Sequence, residues 1–87
     1  MTPTQALSAA QAAARVGRLK FSGHARQRMK ERGATEQHVN RAVITATRAS
    51  WQPEYGTWLL YGGTDLDGDD LQVAVELNGV PMIRTVM

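Results

Sequence analysis

The chain has 87 residues, no cysteine and a formal net charge of +2 at neutral pH. The lack of cysteine excludes a disulfide framework, a zinc ribbon and thiol catalysis. No apolar run approaches the ~20 residues that a membrane-crossing helix needs, and the N-terminus lacks the basic start and apolar core of a secretion signal. We therefore expect one domain with a thin core, in a soluble protein of the bacterial cytoplasm with no membrane partner.

The modest net charge hides an uneven distribution along the chain. Nine of the ten basic residues and both histidines lie between Arg15 and Arg48, where two acids leave a charge of +7. From Ala49 to Met87, one arginine against six acids gives −5. Eight of the ten basic residues are arginine, whose guanidinium binds phosphate oxygens in bidentate fashion. This distribution indicates a polyanion, RNA or DNA, as the first partner to consider.

Three helices are predicted in the first half of the chain. An alanine- and glutamine-rich segment should be helical from Pro3 to about Arg15 and end at Gly17. A second helix, His24 to Arg32, should end at Gly33, which is able to adopt a left-handed conformation. A third helix, Glu36 to about Thr47, carries apolar residues at the i, i+3, i+4, i+7 spacing that marks a buried face.

The second half is rich in β-forming residues. Asn78-Gly79 is a strong hairpin signal between two of the predicted strands. We predict an α+β fold with N-terminal helices on one face of a roughly four-stranded antiparallel sheet. Residues 1–20 would form an accessory helix and linker, and residues 21–87 the main domain. The predicted strands lie around Trp51 and over 57–61, 71–77 and 82–86.

The second helix carries the strongest candidate chemistry. His24, Arg28 and Arg32 follow one another at intervals of about one turn, beside an apolar stripe of Ala25 and Met29 that should face the sheet. RNA cleavage requires a base for the ribose 2′-hydroxyl, an acid for the leaving 5′-oxygen and a cation for the phosphate. A histidine beside two arginines supplies such groups without a metal ion. The alternative is structural, with both arginines covering the edge of the core and pairing with sheet carboxylates such as Glu76.

The stretch His24 to Gly33 resembles the hallmark helix, His-Ala-x-x-Arg-Met-x-x-Arg-Gly, of a bacterial family labelled as a domain of unknown function. That family is grouped with the RelE/ParE-like toxins and with the barnase–EndoU–colicin–RelE ribonuclease fold. The resemblance covers roughly Phe21 to Met87. Two features depart from the family pattern: Met87 stands where an aromatic residue is expected, and the first helix lies outside the shared core.

The resemblance implies two helices on a four-stranded antiparallel sheet and a metal-independent ribonuclease, often a toxin paired with an antitoxin. We expect no cofactor and no metal. The expected partners are RNA and a cognate antitoxin or other acidic protein. Assembly into a homodimer is a further alternative. The implied catalytic positions are His24, Arg28, Arg32 and, on the last strand, Thr85. The residues assigned to substrate binding are Arg26, Lys30, Tyr61 and Arg84.

Two other functions remain open at this stage. A non-catalytic module could use the same basic face to bind nucleic acid or an acidic protein, and a ParE-like domain could bind a topoisomerase without cleaving anything. Asp65 to Asp70, with Glu76, imitates part of a calcium loop, but its glycine is at the fourth position rather than the sixth. We interpret that segment as a charged turn. Trp58 is expected in the core and His38 at the surface.

Overall fold

The computed structural model describes all 87 residues and shows an α+β protein in which three helices accompany one five-stranded sheet. None of the helices combines the length and the apolar character that crossing a bilayer requires. The helices are α1 (Pro3–Arg15), α2 (Gly23–Arg32) and α3 (Glu36–Thr45).

The helix ends follow the local signals in the sequence. Thr2, Ser22 and Thr35 are the N-caps of the three helices, and each side-chain oxygen accepts a hydrogen bond from the backbone N–H three residues later. Gly17 and Gly33, which follow α1 and α2, both have φ of 69°, a left-handed conformation that glycine adopts without steric cost. The predicted positions of all three helices are confirmed.

The sheet has the order β1-β5-β4-β3-β2. Strands β2 to β5 are antiparallel neighbours, whereas β1 runs parallel to β5 at the edge. α3 ends about two residues earlier than predicted, because the Thr47 N–H donates to the Tyr61 carbonyl (3.0 Å) and so leads the chain into the sheet. The strands are β1 (Lys20–Phe21), β2 (Arg48–Gln52), β3 (Thr57–Tyr61), β4 (Val73–Glu76) and β5 (Met82–Val86).

The predicted sheet of four antiparallel strands therefore lacks one strand that the structure has, the parallel strand β1. The fifth strand, β1, is only two residues long, which is too short to show a strand pattern. Backbone bonds to the far end of the chain define it: the Lys20 N–H donates to the Pro81 carbonyl and the Ser22 N–H to the Ile83 carbonyl, both at 2.9 Å. Its pairing depends on residues about 60 positions away, so no local signal could predict it.

One hydrophobic core lies between the helices and one face of the sheet. Directly paired residues of antiparallel strands point to the same face. The pairs Trp58–Val75 and Leu60–Val73 therefore share a face, and all four side chains are buried. The predicted burial of Trp58 and of the apolar faces of α2 and α3 is confirmed. The helix residues in this core are Ala6, Ala10, Ala13, Ala14, Ala25, Met29, Val39, Ala42 and Val43.

Helix α1 is part of this same core. Its four buried alanines pack in one cluster with residues of α3 and the sheet. Their small side chains let α1 approach closely, and the Gln11 amide reaches across to the carbonyl oxygens at the end of α3. Residues 1–20 and 21–87 thus share one hydrophobic core.

The opposite face of the sheet carries no helix. The strand pairings place Leu59, Ala74 and Thr85 in one row across it. Ala74 is buried, yet it is not part of the helix-side core. This helix-free face contains the candidate site.

Candidate active site

A pocket of about 520 Å³ opens on the helix-free face. It crosses the antiparallel strands, and residues of the β2–β3 turn, α2 and the C-terminus complete its walls. The eight lining residues are His24, Gln52, Tyr55, Thr57, Ala74, Arg84, Thr85 and Met87.

The start of α2 brings His24 to this pocket. Because β1 ends at Phe21, α2 begins directly beside β5. The Ser22 hydroxyl donates to the Arg84 carbonyl (3.1 Å) and accepts from the Ala25 N–H (3.1 Å), so one side chain both caps α2 and ties it to β5. His24 lies in the first turn after that cap, next to the strand that carries Thr85.

A β-bulge places Arg84 in the same pocket. Ala74 pairs with Thr85, and Val75 pairs with Ile83, so Arg84 is an extra residue of β5 without a partner in β4. Bulges of this kind redirect a side chain at the edge of a sheet and are common beside active sites. Here the bulge keeps Ile83 in the core and leaves Arg84 exposed at the pocket.

The pocket combines groups that suit an anionic ligand. It contains an imidazole, a guanidinium, a phenol and two hydroxyls, and no Asp or Glu side chain lines it. The three ion pairs of the protein involve Arg26, Arg28 and His38, which leaves His24 and Arg84 without acidic partners. A phosphate group in this pocket would meet a guanidinium and several hydrogen-bond donors at once.

Comparison of the chain with models of protein families, with curated proteins and with solved structures found no match. Function must therefore be inferred from the side chains that the fold brings together.

The structure groups three of the residues predicted for the site, His24, Arg84 and Thr85, in this pocket. The other two arginines predicted for catalysis do not line it. α2 rises about 5.4 Å per turn, so Arg28 and Arg32 lie roughly one and two turns away from His24 along the axis. Arg28 is half-buried, whereas Arg32 is exposed.

The structural alternative for these arginines is also wrong in its detail. Neither arginine forms an ion pair with Glu76. Arg28 pairs instead with Glu31 on its own helix, at 3.6 Å between Nη1 and Oε1. Such an exposed pair within a helix contributes little stability, on the order of a few tenths of a kcal/mol.

The remaining predicted substrate contacts are spread over other surfaces. Arg26 lies outside the pocket, where its guanidinium pairs with Glu36 (2.9 Å) and lies 5.4 Å from the centre of the Phe21 ring. Lys30 is exposed on the same helix. Tyr61 is half-buried on the helix-free face but farther along β3, with the Arg48 guanidinium 5.9 Å from its ring centre.

Five pocket residues were not predicted as site residues: Gln52, Tyr55, Thr57, Ala74 and Met87. Gln52 and Thr57 flank the β2–β3 turn and are paired across it, with the Thr57 hydroxyl donating to Gln52 Oε1 (3.3 Å). The predicted strands around Trp51 and over 57–61 imply a turn between them, and such a turn brings the two flanking residues next to each other. The turn gives no indication that His24 lines the same pocket.

A larger depression of about 650 Å³ lies on the helix side of the sheet, around Trp51 and Trp58. No acidic, basic or histidine side chain lines it.

A second group of polar side chains lies outside both pockets. His38 of α3 faces the turn between β3 and β4, and its Nε2 is 3.1 Å from Asp67 Oδ2. Asp65 completes a group whose potential ligand atoms lie within 4.8 Å of one another. His38 is not the surface residue that the sequence indicated, because only 17% of its side chain is exposed.

Proposed function

We propose that this protein is a RelE-like endoribonuclease of the toxin type that cleaves RNA in the His24 pocket without a metal ion. The observation that carries the proposal is that His24, Arg84 and Thr85 line one pocket that has no acidic side chain. The motif in α2, which led to His24 independently, supports the same assignment.

The cleavage would proceed by attack of the ribose 2′-oxygen on the adjacent phosphorus. A P–O2′ bond forms as the P–O5′ bond breaks, leaving a 2′,3′-cyclic phosphate and a free 5′-hydroxyl. His24 accepts the 2′-hydroxyl proton, and the Arg84 guanidinium stabilises the additional negative charge on the phosphate oxygens. The Thr85 hydroxyl donates a hydrogen bond to a non-bridging oxygen. Tyr55, whose phenol lines the same pocket, is the candidate donor of the proton to the leaving 5′-oxygen.

Arg28 and Arg32 receive a different role in this proposal. They continue the basic surface beyond His24, where they would hold phosphates flanking the cleaved one. An acidic antitoxin segment that binds the same arginines would exclude RNA from the pocket. We therefore expect RNA and an acidic inhibitor to compete.

The test is RNA cleavage by the wild type and by His24→Ala, measured in the presence of chelator. The substitution should slow cleavage ~10²–10⁴-fold, because it removes the proton-transfer group. Gln27→Ala is the matched control, since Gln27 is exposed on the same helix and lies outside the pocket. Equal rates for the wild type and His24→Ala would refute the role of His24, and loss of wild-type activity in chelator would refute the metal-independent mechanism.

A binding module without catalysis is the second candidate. It is favoured by the absence of a second histidine or any acidic side chain from the pocket, which leaves only the exposed Tyr55 as a side-chain acid to partner His24. In this case, His24→Ala would leave RNA intact in every reaction. Arg28→Ala and Arg26→Ala would each lower the dependence of binding on log salt by about one unit.

A further inference from the structure

His38, Asp65 and Asp67 come from two separate parts of the chain, and the fold brings their ligand atoms within 4.8 Å of one another. We propose that these three side chains form a binding site for one divalent transition-metal ion of the Zn²⁺ type. None of them lines the His24 pocket, and the site is independent of the proposed ribonuclease chemistry.

The β3–β4 turn holds the two aspartates in place. Asp65 Oδ1 accepts hydrogen bonds from the backbone N–H groups of Asp67 (2.8 Å) and Asp69 (3.0 Å). The second carboxylate oxygen of Asp65 therefore remains available to a ligand. The side chain of Asp67 points back to His38, with Oδ2 3.1 Å from Nε2.

The imidazole of His38 is oriented from its other nitrogen. Nδ1 accepts a hydrogen bond from the Thr35 backbone N–H (3.3 Å) in the capping box that begins α3, and it lies 2.7 Å from the Thr35 hydroxyl oxygen. With a metal ion on Nε2, the neutral ring would carry its proton on Nδ1 and donate it to this hydroxyl oxygen, in place of accepting from the Thr35 N–H. A histidine ligand whose second nitrogen donates to a fixed oxygen is the usual arrangement at protein metal sites.

The β3–β4 turn is attached to α3 independently of these three residues. Thr45 Oγ1 accepts from the Thr64 N–H (2.9 Å), and its one hydroxyl hydrogen is shared between the carbonyl oxygens of Arg41 (2.7 Å) and Thr64 (3.1 Å). Gly63 lies so close to α3 that a side chain there would overlap the Ala42 carbonyl oxygen. The ligands on the turn and on the helix are therefore held near one another by the fold.

The negative charge of the β3–β4 turn is a separate reason to expect a bound cation there. Asp65, Asp67, Asp69 and Asp70 lie within six residues, and no lysine or arginine pairs with any of them. The one basic side chain in contact with them is His38, whose Nε2 lies 3.1 Å from Asp67 Oδ2. Close carboxylates repel one another, and a divalent cation at the His38 end would relieve that repulsion.

The donor set selects the type of ion. Ca²⁺ and Mg²⁺ prefer shells made of oxygen, whereas Zn²⁺ and similar ions accept an imidazole together with carboxylates. Three protein ligands leave at least one position for water. Because α3 and the turn would share the ion, binding should also stabilise the folded protein.

The experiment is calorimetric titration of the full-length chain with Zn²⁺, together with Ca²⁺ and Mg²⁺ as comparison ions, and thermal unfolding with and without each ion. We expect one Zn²⁺ per chain, affinity for Zn²⁺ at least tenfold higher than for Ca²⁺ or Mg²⁺, and a higher Tm with Zn²⁺. His38→Gln and Asp67→Asn should each weaken Zn²⁺ binding by tenfold or more. His24→Gln and Asp70→Asn are the matched controls and should bind Zn²⁺ like the wild type.

Folding of each variant is checked by its circular dichroism without metal, and Co²⁺ provides a spectroscopic readout in the wild type. Paramagnetic shifts at the His38 ring and none at the His24 ring support the site. The proposal is overturned if the wild type does not bind Zn²⁺, if His38→Gln binds it as tightly as the wild type, or if Co²⁺ shifts the His24 ring instead. Cleavage of RNA in chelator is unaffected by any of these outcomes, so the failure of the metal site and that of the ribonuclease are distinguishable.

Discussion

Gln11 joins α1 to α3, and its replacement by alanine should measurably destabilise the protein. The side-chain Nε2 of Gln11 lies 3.3, 3.1 and 3.0 Å from the carbonyl oxygens of Val43, Ile44 and Ala46. These carbonyls lie at the C-terminal end of α3, where helix donors are lacking, although the Val43 oxygen also accepts from the Ala46 N–H (3.2 Å). In the Gln11→Ala variant, the Ile44 and Ala46 carbonyls lose the Gln11 donor in a part-buried setting.

The expected loss follows from the number of N–H groups. An amide nitrogen carries two hydrogens, so at most two of the three contacts are full hydrogen bonds. At about 0.5–1.5 kcal/mol for each bond, the loss in unfolding free energy is about 1–3 kcal/mol. The higher helix propensity of alanine offsets only a few tenths of a kcal/mol of this. For a domain of this size, each kcal/mol lowers Tm by about 4–8 °C.

The measurement is urea unfolding of the wild type, Gln11→Ala and Gln11→Glu, with Gln27→Ala as the control. Gln27 is exposed on α2, so its replacement should change the unfolding free energy by less than about 0.5 kcal/mol. Glutamate at position 11 presents acceptors to carbonyl oxygens, and we expect it to be worse than alanine. If Gln11→Ala and Gln11→Glu both have the same unfolding free energy as Gln27→Ala, the Gln11 hydrogen bonds do not hold α1 to α3.

Two further predictions concern the pocket and the β3–β4 turn. Arg84→Ala should lower the single-turnover rate of RNA cleavage ~10²–10³-fold, whereas Arg26→Ala, outside the pocket, should have a much smaller effect; equal losses would indicate general charge attraction instead. Gly63→Ala should lower the unfolding free energy by about 1–3 kcal/mol, because its methyl group meets the Ala42 carbonyl. Gly23→Ala is its control, since a side chain there meets no atom within 4 Å, and similar unfolding free energies for the two variants would contradict the close packing of the turn.

The sequence by itself determined the elements whose causes are local. Ser22 and Gly33 bound α2 because a hydroxyl can cap the first turn and a glycine can adopt a left-handed conformation at the end. Ala25 and Met29 are buried because the period of the helix places them on one face. Position on α2 also indicated His24, through a motif of consecutive residues.

Only the tertiary structure decided which of these elements meet. β1, the two-residue strand at Lys20, exists because β5 lies beside it. β1 in turn places the start of α2 so that His24 and Arg84 line the same pocket. Helical spacing predicted that Arg28 shares a face with His24, but a pocket depends on neighbours in space, and one turn of helix moves Arg28 away from it. His38 and Asp67, 29 residues apart, meet for the same reason. Local free energies determine helices and turns, whereas the packing of distant segments determines which side chains share a site.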